Sequence, residues 1–142
     1  MTTTAYRTEV RTTVQHLWSL LLDKVEHPDK YIEGISNVSI DRRIDKYTVI
    51  RSMQLGSIHL QEIITADPKT KTIVFKSRQH PAFTSLVINT IFEEDGKVYL
   101  DYTMNNLPKP GHPSMEWDRE QIVRSAVLHM KEIAEDMAPI GG

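Results

Sequence analysis

Arg51 and Glu62 stand at mirror distances from the dipeptide Gly56-Ser57, in a run that alternates as two strands, Tyr47 to Leu55 and Ile58 to Ile64. A two-residue turn led by glycine fits the primed turns that close tight hairpins. The register then sets Leu55 opposite Ile58, Met53 opposite Leu60, Arg51 opposite Glu62 and Val49 opposite Ile64. Side chains alternate across a strand, so these residues share one face. Thr48, Ser52, Gln54, His59, Gln61 and Thr65 make the other face wet. The apolar face points inward, and it carries a cation and an anion directly opposed. Such charges are costly there unless they are paired or touch water in a cavity. Two chemistries fit. One is an internal ion pair. In the other the pair lines a hollow: Arg51 holds a carboxylate or phenolate through paired hydrogen bonds, and Glu62 is acid or base toward an acidic C–H or hydroxyl.

A second hairpin, closed around Asp95-Gly96, sets Val87, Asn89 and Ile91 against Met104, Tyr102 and Leu100. Asn89 and Tyr102 form a polar pair on that surface. They either satisfy each other or orient a ligand oxygen. Phe75 and Ser77 share the inner face with Ile73. Arg119 falls near the centre of the last helix's apolar stripe, in line with Met130 and Met137. There it either snorkels from the helix end or recognises an anion at a pocket mouth. Met53, Met104, Met130 and Met137 all fall on inner faces, where the adaptable thioether suits plain core and cavity wall alike.

Other chemistries are absent from the pattern. The chain has no cysteine, which removes disulfides, thiolate catalysis and Cys-ligated metal. His16, His27, His59, His80, His112 and His129 show no metal-site spacing, so no metal or cofactor is expected. There is no nucleophile elbow, phosphate loop or dinucleotide fingerprint. Net charge is −2 and basic residues are interspersed with acids, so no nucleic-acid surface is expected. No apolar run is long enough to span a bilayer. The opening Met-Thr-Thr-Thr-Ala-Tyr-Arg carries no signal-peptide segment, and a cytoplasmic location is the expectation.

The elements that must position these residues follow from the periodicities. The 142 residues, 39% hydrophobic and 25% charged, suit one domain over 1–142 with a sizeable core. Ala5 to Thr12 alternates as a strand. Val14 to Glu26 is a helix with Val14, Leu17, Trp18, Leu21, Leu22 and Val25 on one stripe, capped by Thr12 or Thr13 and stopped by His27-Pro28. A second short helix starts at Pro28 and ends at Gly34. Strands follow at Val38–Ile44, in the two hairpins, and at Thr72–Ser77. A long helix runs from about Met115 to Met137. Consecutive hairpins make an antiparallel sheet with an apolar face. One helix cannot fill a strongly curved sheet, so a space between them is expected.

This order of elements resembles the START/Bet v 1-like (SRPBCC) helix-grip superfamily, and within it the AtaL-like branch of unknown function. The residues that carry the resemblance are Leu17-Trp18, Leu21, Pro28, Tyr31, Gly34, Arg51 with Glu62, Leu100 and Tyr102 before Leu107, and Val123 through Met130. The resemblance implies an α+β fold, with a curved antiparallel sheet around a long C-terminal helix and two short helices after the first strand. It also implies a cavity for lipids, polyketides or secondary metabolites, and no particular reaction.

The expected ligand-binding set is therefore Arg51, Met53, Leu60, Glu62, Phe75, Asn89, Leu100, Tyr102, Met104, Arg119, Ala126 and Met130. Entry is expected past the Pro108–Ser114 loop or the short helix around Tyr31. The alternatives are a cyclase or aromatase using Glu62 as acid/base and Arg51 as anion stabiliser, and a structural or regulatory partner protein that uses the cavity little or not at all. Leu20, Leu128 and the outer face around Ile88 and Phe92 suggest a homodimer surface.

Overall fold

In the computed structural model, residues 2–78, 83–108 and 119–136 are described. Seven strands form one antiparallel sheet in the order β1-β7-β6-β5-β4-β3-β2. They are β1 (Thr2–Glu9), β2 (Ile35–Arg43), β3 (Thr48–Leu55), β4 (Ile58–Asp67), β5 (Thr72–Ser77), β6 (Phe83–Glu94) and β7 (Lys97–Pro108). Helix α1 spans Val14–Glu26 and helix α2 Arg119–Asp136, with a 3-10 turn at Pro28–Lys30. This is the α+β helix grip that the sequence implied.

The hairpins obey local rules. Leu55 pairs with Ile58, Met53 with Leu60, Arg51 with Glu62 and Val49 with Ile64. Gly56 has φ +60°, the value a glycine-led turn requires and L side chains disfavour. Asp95 and Gly96 both have positive φ, and β6 pairs with β7 in the expected register from Val87–Met104 to Ile91–Leu100. β2 starts three residues before the expected Val38. It pairs with β3 through irregularities at Ser36/Ser39 and Ile40/Arg42.

Helix α1 is capped by the Thr13 hydroxyl, which accepts from the His16 N–H at 3.1 Å. His27 ends it, its N–H donating to the Asp23 carbonyl. The buried stripe is rotated from the expected one: Leu22 is exposed, while Leu20 and Lys24 are buried. Leu20, expected as exposed dimer surface, is 7% exposed and belongs to the core. The cause is that α1 packs against β6, α2 and the 3-10 turn, so two of its sides are covered. Leu128 is exposed, while Ile88 and Phe92 are half-buried, with Phe92 stacked on Tyr99. Helix α2 leans on β1 and β7, at one end of the sheet. Val123, Val127, Met130 and Ala134 are its buried positions. The expected helix residues before Arg119, together with Met137, lie outside the described residues, as does the loop after Pro108.

Candidate functional site

Because α2 sits over β1 and β7, the concave face of β3 to β6 is roofed by the end of α1 and the 3-10 turn. A cavity of ≈ 300 Å³ remains between them. That is the lower end of the size range of small-molecule sites. Its walls come from aligned rows across the sheet. Phe75, Val87 and Met104 form one row through the pairings of β5, β6 and β7. Arg51, Glu62 and Ser77 form the next, across β3, β4 and β5. Met53 and Leu60 form a third. Pro28, Ile32 and Lys24 close the helical side, and among the described residues Ile122 is the one contribution from α2. Ile122 is 45% exposed, so it marks the open side.

Of the residues expected to bind ligand, Arg51, Met53, Leu60, Glu62, Phe75, Tyr102 and Met104 line this cavity. Leu100 does not; it is fully buried in the core. Met130 is likewise core and Ala126 half-buried, and neither reaches the cavity. Both were placed on the wall by assuming that α2 alone covers the concavity. The Arg119 side chain lies outside the described residues. Tyr31, expected at a gate, is 8% exposed and its hydroxyl donates to Asp23 Oδ2 at 2.7 Å. That bond chiefly holds the Asp23 carboxyl below its usual range. Burial, then the Asp23 bond, pushes the Tyr31 phenol well above its ordinary value. Tyr31 thus pins the 3-10 turn to α1, and its neighbour Ile32 faces the cavity instead.

Arg51 is 3% exposed and is committed three times. One terminal nitrogen donates to Glu62 Oε1 at 2.8 Å. The other donates to the Val25 carbonyl at 2.9 Å and the Lys24 carbonyl at 3.3 Å. Those carbonyls belong to the last turn of α1, where backbone acceptors lack intrahelical partners and the helix dipole favours a cation. Arg51 therefore clamps the end of α1 to the sheet, and Glu62 neutralises it. The Nε atom of Arg51 is buried and has no partner among the described residues.

Asn89 and Tyr102 are paired in register but do not bond to each other. Asn89 is fully buried away from the cavity, and neither amide atom has a partner among the described residues. The Tyr102 hydroxyl instead accepts from Lys24 Nζ at 3.0 Å. Lys24, 4% exposed, is the functional candidate that sequence reasoning missed. A signal was present: Lys24 follows Leu17 by seven residues, two turns along the same stripe. Ser77 and Ser85 also line the cavity, and the Ser85 N–H donates to Ser77 Oγ at 2.8 Å.

A family model described as acetylaranotin biosynthesis cluster protein L (AtaL) matches residues 3–137. The chain belongs to the AtaL family. Solved structures place the family's fold in wider company. The ZhuI aromatase/cyclase from Streptomyces sp. R1128 is similar at a TM-score of 0.80 and 13% identity, covering 99% of this chain and 98% of that one. Ara h 8.0201 matches at 0.72 and 12%, covering 95% and 98%. The di-domain aromatase/cyclase StfQ of the steffimycin biosynthetic pathway matches at 0.74 and 14%, covering 94% of this chain and 50% of StfQ. At these identities the likeness is one of fold. No curated protein matches the sequence. Among the described residues, no helix is long and apolar enough to cross a membrane.

Proposed function

We propose that this AtaL-family protein binds a small, largely apolar molecule of the polyketide or related secondary-metabolite kind. The cavity between the sheet and α1 carries this reading. Its walls are apolar, and Arg51, Glu62, Lys24 and Tyr102 converge on it. Small-molecule sites have this composition: mostly apolar lining with a few placed polar groups. A filled interface would have favoured a purely structural partner protein, and the cavity between sheet and α1 supports a ligand site instead. The family description and the aromatase/cyclase neighbours add a biosynthetic setting as support.

Native mass spectrometry of the purified protein tests this. A single retained small molecule is expected, lost when Val87→Trp fills the cavity. A protein that retains nothing, and whose ligand binding is indifferent to Val87→Trp, would overturn it.

A second reading, turnover of a polyketide-like substrate, is favoured by one observation. Glu62 and Tyr102, two groups able to move protons, line the same cavity beside two cations. Glu62→Gln separates the readings. Loss of product with binding intact supports an enzyme; unchanged ligand recovered from both proteins supports a carrier.

A further inference from the structure

We infer that Lys24 and the Tyr102 hydroxyl recognise an acidic oxygen on the ligand, whether carboxylate, phenolate or enolate. The apolar body would lie along Met53, Leu60 and Phe75. This rests on the reading of the cavity as a ligand site and specifies what that site selects.

The argument is one of unmatched charge. Among the described residues, Lys24 Nζ has one hydrogen-bond acceptor, the Tyr102 hydroxyl at 3.0 Å. It lies 4.7 Å from the Tyr102 ring and 5.9 Å from the Phe75 ring. An ammonium has three donors, so two are left over. Among the described residues, no carboxylate forms an ion pair with it. Glu62 is held by Arg51, and Arg51 also takes the carbonyls at the end of α1. Among the described residues, the cavity therefore presents two cations and one carboxylate within apolar walls.

Burying an ammonium without a counter-charge is costly. A ligand anion offsets that cost and gains charge-assisted hydrogen bonds; a neutral ligand does neither. Having accepted from Lys24, the Tyr102 hydroxyl keeps its own proton to donate. Ammonium and phenol thus offer donors to a single oxygen position. Arg51 is the clamp, and Lys24 is the group left for the ligand.

Two probes of one shape test this: 2-naphthoate and 2-naphthamide, titrated calorimetrically at neutral pH and low salt. The wild-type protein is expected to prefer the anion by about tenfold or more, as a charge-assisted bond implies. Lys24→Met should erase the preference by weakening naphthoate and leaving naphthamide unchanged. Lys24→Met should also melt no lower than wild type, since it removes an unpaired buried charge. Equal wild-type affinities, a preference that survives Lys24→Met, or a lowered melt with both probes weakened alike would overturn the inference. The wild-type comparison decides even if the variant does not fold. Naphthamide binding without anion preference defeats this inference and leaves the cavity reading standing. Binding of neither probe defeats both.

Discussion

Arg51→Ala is the perturbation that best exposes how this fold is held. Arg51 is 3% exposed and its partner Glu62 12%, so the pair is nearly dry. Removing one partner of a buried pair costs about 3–5 kcal/mol, because the other charge is left uncompensated. Glu62 borders the cavity, where water can reach it, which moves the loss toward the lower end. The Lys24 and Val25 carbonyls also lose a cationic donor, worth about 0.3–1 kcal/mol at a helix C-terminus. A loss of about 3–4 kcal/mol follows, read from urea unfolding with an unchanged slope. The double variant Arg51→Met with Glu62→Leu removes both charges and should regain most of that loss, because apolar replacement of a buried pair is often neutral. A single-variant loss under about 1 kcal/mol would refute the clamp and return Arg51 to the ligand.

Two further outcomes follow from groups buried outside the cavity. Tyr31→Phe removes the main cause that holds the Asp23 carboxyl below its usual range. A depressed carboxyl stabilises above its usual range and stops doing so as pH falls through its folded value. The raised Tyr31 phenol stabilises below its ordinary range and stops doing so as pH rises beyond it. The stability gap between wild type and Tyr31→Phe should therefore be flat near neutral pH and narrow at both extremes. Chemical denaturation across pH checks this, and a gap that widens toward acid contradicts it. Asn89→Leu swaps an unpartnered buried amide for an apolar group of similar size. Stability should rise by about 1 kcal/mol, since the amide's desolvation is uncompensated. A clear loss in thermal melts would reveal a polar partner for Asn89.

What could be read from the chain divides along the range of the interactions. The β3–β4 and β6–β7 registers were legible, because alternation and a positive-φ turn are properties of about ten neighbouring residues. The opposition of Arg51 to Glu62 came with them. Its purpose did not, since the Lys24 and Val25 carbonyls approach from a helix more than twenty residues away in sequence. Lys24 lies two turns after Leu17 on the apolar stripe, but a lysine there can snorkel to solvent, and its burial follows only from α1 being covered on two sides. Ala126 and Met130 were assigned to the cavity because α2 was taken to span the whole concavity. The helix leans on β1 and β7 instead, a choice that its own stripe does not encode.

The clamp at Arg51 sets which parts of the cavity are free to vary. Arg51 and Glu62 join α1 to the sheet, so changing what they recognise means rebuilding the joint. The side chains of Lys24, Ser77, Ser85, Val87 and Met104 border the same space without carrying that joint. A protein engineer seeking a new ligand range has a fixed frame and a replaceable lining, and the two meet within one helical turn at the end of α1.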